Sequence, residues 1–229
     1  MTNNTDSVAV NIIKKIILEI AGPKYGKSKF LKKINRRGNL LDVGCGNNSP
    51  YKIKTKCPKI HYTGIDIGDY NQNKPNLADS YITAKPENFA ETIENLPELF
   101  DTVISSHNLE HCNNREKALN AMIKVLKSGG YLYLSFPTEA SVNFPGYRNG
   151  CLNYYDDPTH KYLPPDFFET INTLKENNME IIFSSRSYKP VPLCMIGFFL
   201  EWKSKKDKET KLGTWAYWGF ETIIWAKKK

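Results

Sequence analysis

The chain has 229 residues, 40% hydrophobic and 24% charged, with a formal net charge of +8. That suits one large α/β domain with decorations, or at a stretch two small ones, around a real buried core. Its five cysteines (45, 57, 112, 151, 194) contain no C-x-x-C, which argues against a zinc ribbon or redox pair.

The odd, scattered cysteines fit a reduced, cytoplasmic compartment. Lys14-Lys15 interrupt the apolar run near the start, so no signal-peptide layout is expected there. Pro192 to Trp202 is apolar but far short of the roughly 20 residues that span a bilayer. The positive charge favours an acidic partner, whether substrate, nucleic acid or lipid headgroup. Lysines crowding the N-terminal segment, Lys203 to Lys208 and Lys227 to Lys229 also read as plain solvated charge.

In chain order, residues 1–9 are polar, and Val10 to Ile20 carries apolar residues at helical spacing. A further turn is expected over Phe30 to Ile34, giving an N-terminal helical extension at 1–37. Gly22-Pro23-Lys24-Tyr25-Gly26-Lys27-Ser28 has three residues between its glycines where a phosphate-binding P-loop needs four. It reads as a basic turn.

Leu40-Leu41-Asp42-Val43 is an apolar strand breaking at Gly44-Cys45-Gly46. Glycine is needed where a chain turns sharply or where backbone must approach a ligand. Tyr51 to Cys57 reads as a short basic helix or loop. His61 to Ile67 is a second strand ending in Asp66, about twenty residues past the glycine turn. In a βαβ unit that position accepts hydrogen bonds from ribose hydroxyls.

Ser80 to Thr83 is a brief third strand, Glu87 to Leu96 a helix, and Phe100 to Ser106 a buried fourth strand. Asn114 to Leu126 keeps its apolar positions on one helical face, stopped by Lys127-Ser128-Gly129-Gly130. Tyr131 to Phe136 is a fifth strand. Thr138 to Pro165 is a long connection of the kind that forms lids or binding loops. Pro165 to Asn177 reads as a helix, Met179 to Tyr188 as a sixth strand and Trp218 to Ala226 as the last. Pro190 to Gly213, apolar and then lysine-rich, is an insertion that could cover the site, form a homodimer contact or touch a membrane surface.

Leu41-Asp42-Val43-Gly44-Cys45-Gly46, Gly64-Ile65-Asp66, Phe100 to Ser106, Leu109-Glu110-His111 and Leu126 to Leu132 resemble, in order, the motifs of class I S-adenosylmethionine (SAM)-dependent methyltransferases. Ser128 stands where that family usually has proline. The resemblance implies a doubly wound, mostly parallel, seven-stranded Rossmann-like sheet over residues 38–229, with an antiparallel last strand. It also implies SAM as cofactor. Gly44, Cys45 and Gly46 would hold its methionine part with Asp42 near the ammonium, Asp66 would take the ribose, Ile67 would pack on adenine, and Ser106, His107 and Asn108 would line the methionyl side.

A hydroxyl acceptor needs a base or a metal, because its own pKa is far above 7. His160 is expected to serve first and His111 second, against the plainer readings of a loop-bracing histidine and a helix cap. His107-Asn108-Leu109-Glu110-His111 also matches the H-x-x-E-H string of a zinc peptidase group, but it follows a strand end rather than lying on a helix. No metal is expected. Some methyltransferases carry E-x-x-E-H here and bind a divalent ion; that alternative would use His107, Glu110 and His111, with His107 in place of the first glutamate.

The segment 138–165 is similar to methyltransferases of bacterial surface-polysaccharide biosynthesis. It suggests a small or glycan-linked acceptor, with Tyr147, Tyr154 and Tyr155 stacking on sugars, Arg148 meeting a phosphate, and Asp156 nearby. The alternatives are a nucleic-acid (RNA) methyltransferase, motivated by charge but lacking a nucleotide-flipping N-P-P-Y, and a non-catalytic SAM-binding scaffold.

Overall fold

The computed structural model describes residues 23–144 and 152–229. The expected helix over 10–20, together with Tyr147, Arg148 and Cys151, lies outside the described residues. Seven strands form one sheet in the order β3-β2-β1-β4-β5-β7-β6. They are β1 (Asn39–Val43), β2 (His61–Asp66), β3 (Ser80–Thr83), β4 (Phe100–Ser106), β5 (Leu126–Pro137), β6 (Met179–Ser185) and β7 (Glu221–Lys228). The first five pair in parallel, and β7 runs antiparallel between β5 and β6.

Side chains alternate across each strand, so neighbouring residues serve opposite faces. Val103, Leu132, Leu134 and Ile224 pack on one face, against Phe89 and Ile93 of α3 (Phe89–Glu94), Leu119 and Met122 of α4 (Arg115–Lys124) and Leu174 of α5 (Phe167–Glu176). Ile104, Tyr133, Ile223 and Trp225 pack on the other, against Phe30 and Leu31 of α1 (Lys27–Lys33) and Ile53 of α2 (Ser49–Lys56). Each such side chain contributes about 1.5–3 kcal/mol on leaving water. Phe30, Leu31 and Ile34 are thus part of the sheet's own packing.

Helix starts follow local chemistry. Asn114 caps α4 by accepting from the Lys117 amide at 2.9 Å, and Asp166 caps α5 by accepting from the Glu169 amide at 2.8 Å. The boundaries differ from expectation after residue 124. The helix ends at Lys124 and the glycine pair belongs to β5, because β4 already pairs with it at Leu126. The last strand begins at Glu221 rather than Trp218. Residues Thr214–Trp218 instead form a short helix, α7, between Gly213 (φ 83°) and Gly219 (φ 74°), whose left-handed backbone suits a residue without Cβ. The insertion is mostly one helix, α6 (Val191–Asp207), packed on α7. Among the described residues, no helix is long and apolar enough to cross a membrane.

Candidate functional site

A cavity of about 1180 Å³ opens at the carboxyl ends of the parallel strands. It lies where β1 separates β2 from β4, the point at which strand order reverses and ligands bind in open α/β sheets. Gly44 leaves β1 with φ 77°, and a Cβ built there would fall 2.5 Å from the Asn108 Cβ. The turn continues through Asn47 (φ 55°) and Asn48 (φ 59°) into α2. The Gly44 amide donates to the Ile65 carbonyl at 2.9 Å, which locks the turn beside the end of β2.

Gly44, Gly46, Asp66, Ile67, Ser106, His107 and Asn108 all line this cavity. Asp42 and Cys45 stand behind the wall, fully buried. Asp42 Oδ2 accepts from Ser49 Oγ at 2.5 Å and Tyr62 Oη at 2.7 Å, while its Oδ1 has no hydrogen-bond partner among the described residues. Burial pushes the Cys45 thiol well above its ordinary range, so it stays protonated. Burial also raises the Asp66 carboxyl, opposed by the amide N–H groups of Ile67 and Gly46. The carboxylate and the glycine turn are therefore direct neighbours. Ile67 presents an exposed apolar side chain beside Asp66, with Pro86 and Phe89 on the same wall.

The first residue of α1 is one that spacing alone passes over. Lys27 lines the cavity, donates to Ser49 Oγ at 3.2 Å and lies 3.9 Å from Asp42 Oδ1. The P-loop comparison fails on spacing, yet its lysine faces the glycine turn. An ammonium beside the buried Asp42 puts both charges of an amino-acid recognition pair in one corner.

Across the cavity, Glu110, His111 and His160 bring one ligand atom each within 4.8 Å of one another. Glu110 is buried, and its Oε2 has no hydrogen-bond partner among the described residues. Thr159 Oγ1 donates to Asp157 Oδ1 at 2.6 Å. Having spent its proton there, it accepts from His111 Nδ1 at 2.9 Å. His160 Nδ1 donates to the Tyr154 carbonyl at 2.5 Å. Both rings are thereby held as the tautomer whose Nε2 carries a lone pair. Burial lowers the His111 pKa, with Glu110 opposing, which favours the neutral imidazole.

His107 does not join this set. Its Nε2 lies 3.0 Å from Glu221 Oε2 and its Nδ1 3.3 Å from Glu110 Oε1. Although burial opposes it, the two carboxylates hold the imidazole pKa well above its ordinary value. The set that forms is Glu110, His111 and His160, in place of the string His107, Glu110 and His111. Trp215, another wall residue, donates to the same Glu221 oxygen at 2.9 Å. Neither Trp215 nor Glu221 carries a sequence motif that marks it.

Tyr154 is buried, its ring stacked on His160 at 4.0 Å, so one of its faces is already used. Tyr155 is exposed and Asp156 accepts from the Asn153 amide at 3.0 Å; neither lines the cavity. Arg148 lies outside the described residues.

The family model described as "Methyltransferase domain" matches residues 23–225. An uncharacterized protein of Methanocaldococcus jannaschii is 34% identical over 110 residues, 45% of this chain and 29% of its own length. The mitochondrial ubiquinone biosynthesis O-methyltransferase of Rattus norvegicus is 27% identical over 112 residues, 46% of this chain and 32% of its own length. The chain thus spans under a third of these curated relatives. A SAM-dependent methyltransferase from Archaeoglobus fulgidus superposes with TM-score 0.54 at 20% identity, covering 88% of this chain and 90% of that one, a likeness of fold.

Proposed function

The chain belongs to the SAM-dependent methyltransferase family, and on that premise we propose that it methylates a hydroxyl of a small-molecule or glycan-linked acceptor. The observation that carries this reading is the meeting of Glu110, His111 and His160 in the cavity that Gly44, Gly46 and Asp66 also line. The cradle fits the cofactor: a Cβ would close it at Gly44, and a carboxylate waits beside it at Asp66.

When bound, SAM supplies an electrophilic methyl on a sulfonium. Lys27 would meet the carboxylate of its methionine part, while Asp42, behind the wall, would hold Lys27 and Ser49 in place rather than touch the ammonium directly. Asp66 would accept from the ribose hydroxyls and Ile67 would cover the base. The chain's remaining task is to align the acceptor oxygen and take its proton. His160 is the first choice for that proton and His111 the second, since both line the cavity and each has its Nδ1 already held by a hydrogen bond. The stack of Tyr154 on one face of His160 and His111 on the other fixes the ring's direction.

A second reading is favoured by the unpartnered Glu110 oxygen. Two imidazole nitrogens and one carboxylate oxygen lying within 4.8 Å of one another suit a divalent cation. Such an ion would lower the pKa of a coordinated hydroxyl. The relative that acts in ubiquinone biosynthesis is by its name an O-methyltransferase, which supports oxygen as the methylated atom. The surface-polysaccharide role rests only on resemblance in the segment that includes residues 145–151.

Transfer of labelled methyl from SAM into small polyhydroxylated or phenolic acceptors tests the proposal. In the His160→Ala variant, turnover should fall about 100-fold or more, with affinity for S-adenosylhomocysteine changed less than about twofold. Unchanged turnover removes His160 from the mechanism, and label appearing in RNA favours the nucleic-acid alternative. Loss of activity in EDTA, restored by Mg²⁺, Mn²⁺ or Zn²⁺, separates the cation reading from the base reading.

A further inference from the structure

Helix α6 carries a second functional surface away from the cavity. Val191, Met195, Phe198, Phe199 and Trp202 are each more than half exposed. At 100° per residue these five fall within an arc of about 100°, one continuous stripe. The opposite face holds Gly197 and Ser204, both buried, with Gly197 against the Gly213 backbone. The fold buries that opposite face, while the apolar stripe stays more than half exposed even where Phe198 touches Tyr217.

At the carboxyl end the stripe runs into Lys203, Lys205 and Lys206. Lys205 is paired with Glu201 and Lys211 with Asp207, so both carboxylates of the helix are engaged. Lys203 and Lys206 have no ion pair among the described residues. We propose that α6 seats this protein on an anionic lipid surface, with the Val191-to-Trp202 stripe among the acyl chains and the lysines at the headgroups.

The charge arrangement selects this occupant over a second copy of the chain. Two copies packed stripe to stripe would set the lysines against each other if parallel, or over the Lys189 end if antiparallel, and in neither case does α6 offer an unengaged carboxylate. A layer of anionic headgroups supplies that charge, and lysine stems reach it while lying along apolar surface. The indole of Trp202 closes the stripe on its lysine side, where aromatic amphipathic rings favour the water–lipid boundary. The helix is firmly anchored to the body: Phe198 contacts Tyr217 edge-on at 5.7 Å, and Glu201 accepts from Trp218 Nε1 at 3.1 Å. It can lie in an interface without unfolding. This inference does not depend on which atom the cavity methylates.

Co-sedimentation of the full chain with vesicles of phosphatidylcholine alone, or mixed with phosphatidylglycerol, tests it. Binding is expected only to the anionic vesicles. Phe199→Ser with Trp202→Ser should lower the partition coefficient about tenfold or more, and Lys203→Gln with Lys206→Gln about fivefold per lysine. Circular dichroism and S-adenosylhomocysteine affinity should match the wild type in both variants. Absence of binding to anionic vesicles, or equal partition of wild type and variants, overturns the proposal. So does a dimer in solution that the Phe199→Ser, Trp202→Ser variant dissociates while vesicles leave the wild type unbound.

Discussion

Asp42 and Glu110 are both buried with one carboxylate oxygen left without a hydrogen bond among the described residues, yet the regions around them are built differently. Around Asp42 the wall is largely backbone: a turn forced by Gly44, two left-handed asparagines, and amide groups held by neighbouring strand ends. Around Glu110 it is side chains from distant segments: His111 after β4, Thr159 and His160 from the loop before α5, and Glu221 from β7. The first region is shaped before any ligand arrives by constraints on φ. The second depends on a chain of hydrogen bonds, each with a proton whose place depends on pH. Binding should therefore be rigid in the cofactor half, and chemistry tunable in the acceptor half.

The sharpest way to break that contrast is Gly44→Ala. A non-glycine residue at φ 77° costs about 1–3 kcal/mol, and the new Cβ meets Asn108 directly. Affinity for S-adenosylhomocysteine should fall about 100-fold by calorimetry, with a melting temperature lower by roughly 4–10 °C. A variant that binds normally would show that the turn is not what shapes the cofactor half. Next in size is Asp66→Asn, which removes charge-assisted acceptance at the ribose position. Affinity should weaken about tenfold or more, while turnover at saturating cofactor stays within about twofold.

The smallest effect should come from pH. His111 has its pKa lowered, so the folded state binds fewer protons there than the unfolded chain. Its contribution to stability is present above the ordinary histidine value of 6.5 and is lost as pH falls through the folded value. Protonated His111 cannot accept a proton. Turnover should therefore show an acid limb below pH 6.5, while S-adenosylhomocysteine affinity stays flat over the same range. A parallel fall in both would place the titrating group in the cofactor half instead.

The same contrast explains what was legible in the sequence. Gly44, Gly46 and Asp66 sit in short motifs whose spacing follows from strand length and the βαβ crossover, so adjacent residues reveal them. His107 lies apart from the Glu110–His111–His160 cluster because Glu221, more than a hundred positions later, takes its imidazole. Lys27 was visible as a residue but its place in the cavity was hidden, since nothing local says that α1 folds against the glycine turn. The helix in the 190–213 insertion was obscured because it is apolar on two faces, which erases the periodicity that marks a half-buried helix. Trp218 ended up in a helix because Gly213 and Gly219 bracket it, although its aromatic, β-branched surroundings read as strand.

The reversed strand β7 has an outcome for biosynthesis. It lies between β5 and β6, so β6 has no partner in the sheet until β7, later in the chain, has been made. A growing polypeptide that has just emitted Ser185 therefore carries a bare strand edge with nothing to zip against. Nascent chains stalled in this window should be the species that chaperones capture, and Glu221, the clasp on His107, reaches its place only after that wait is over.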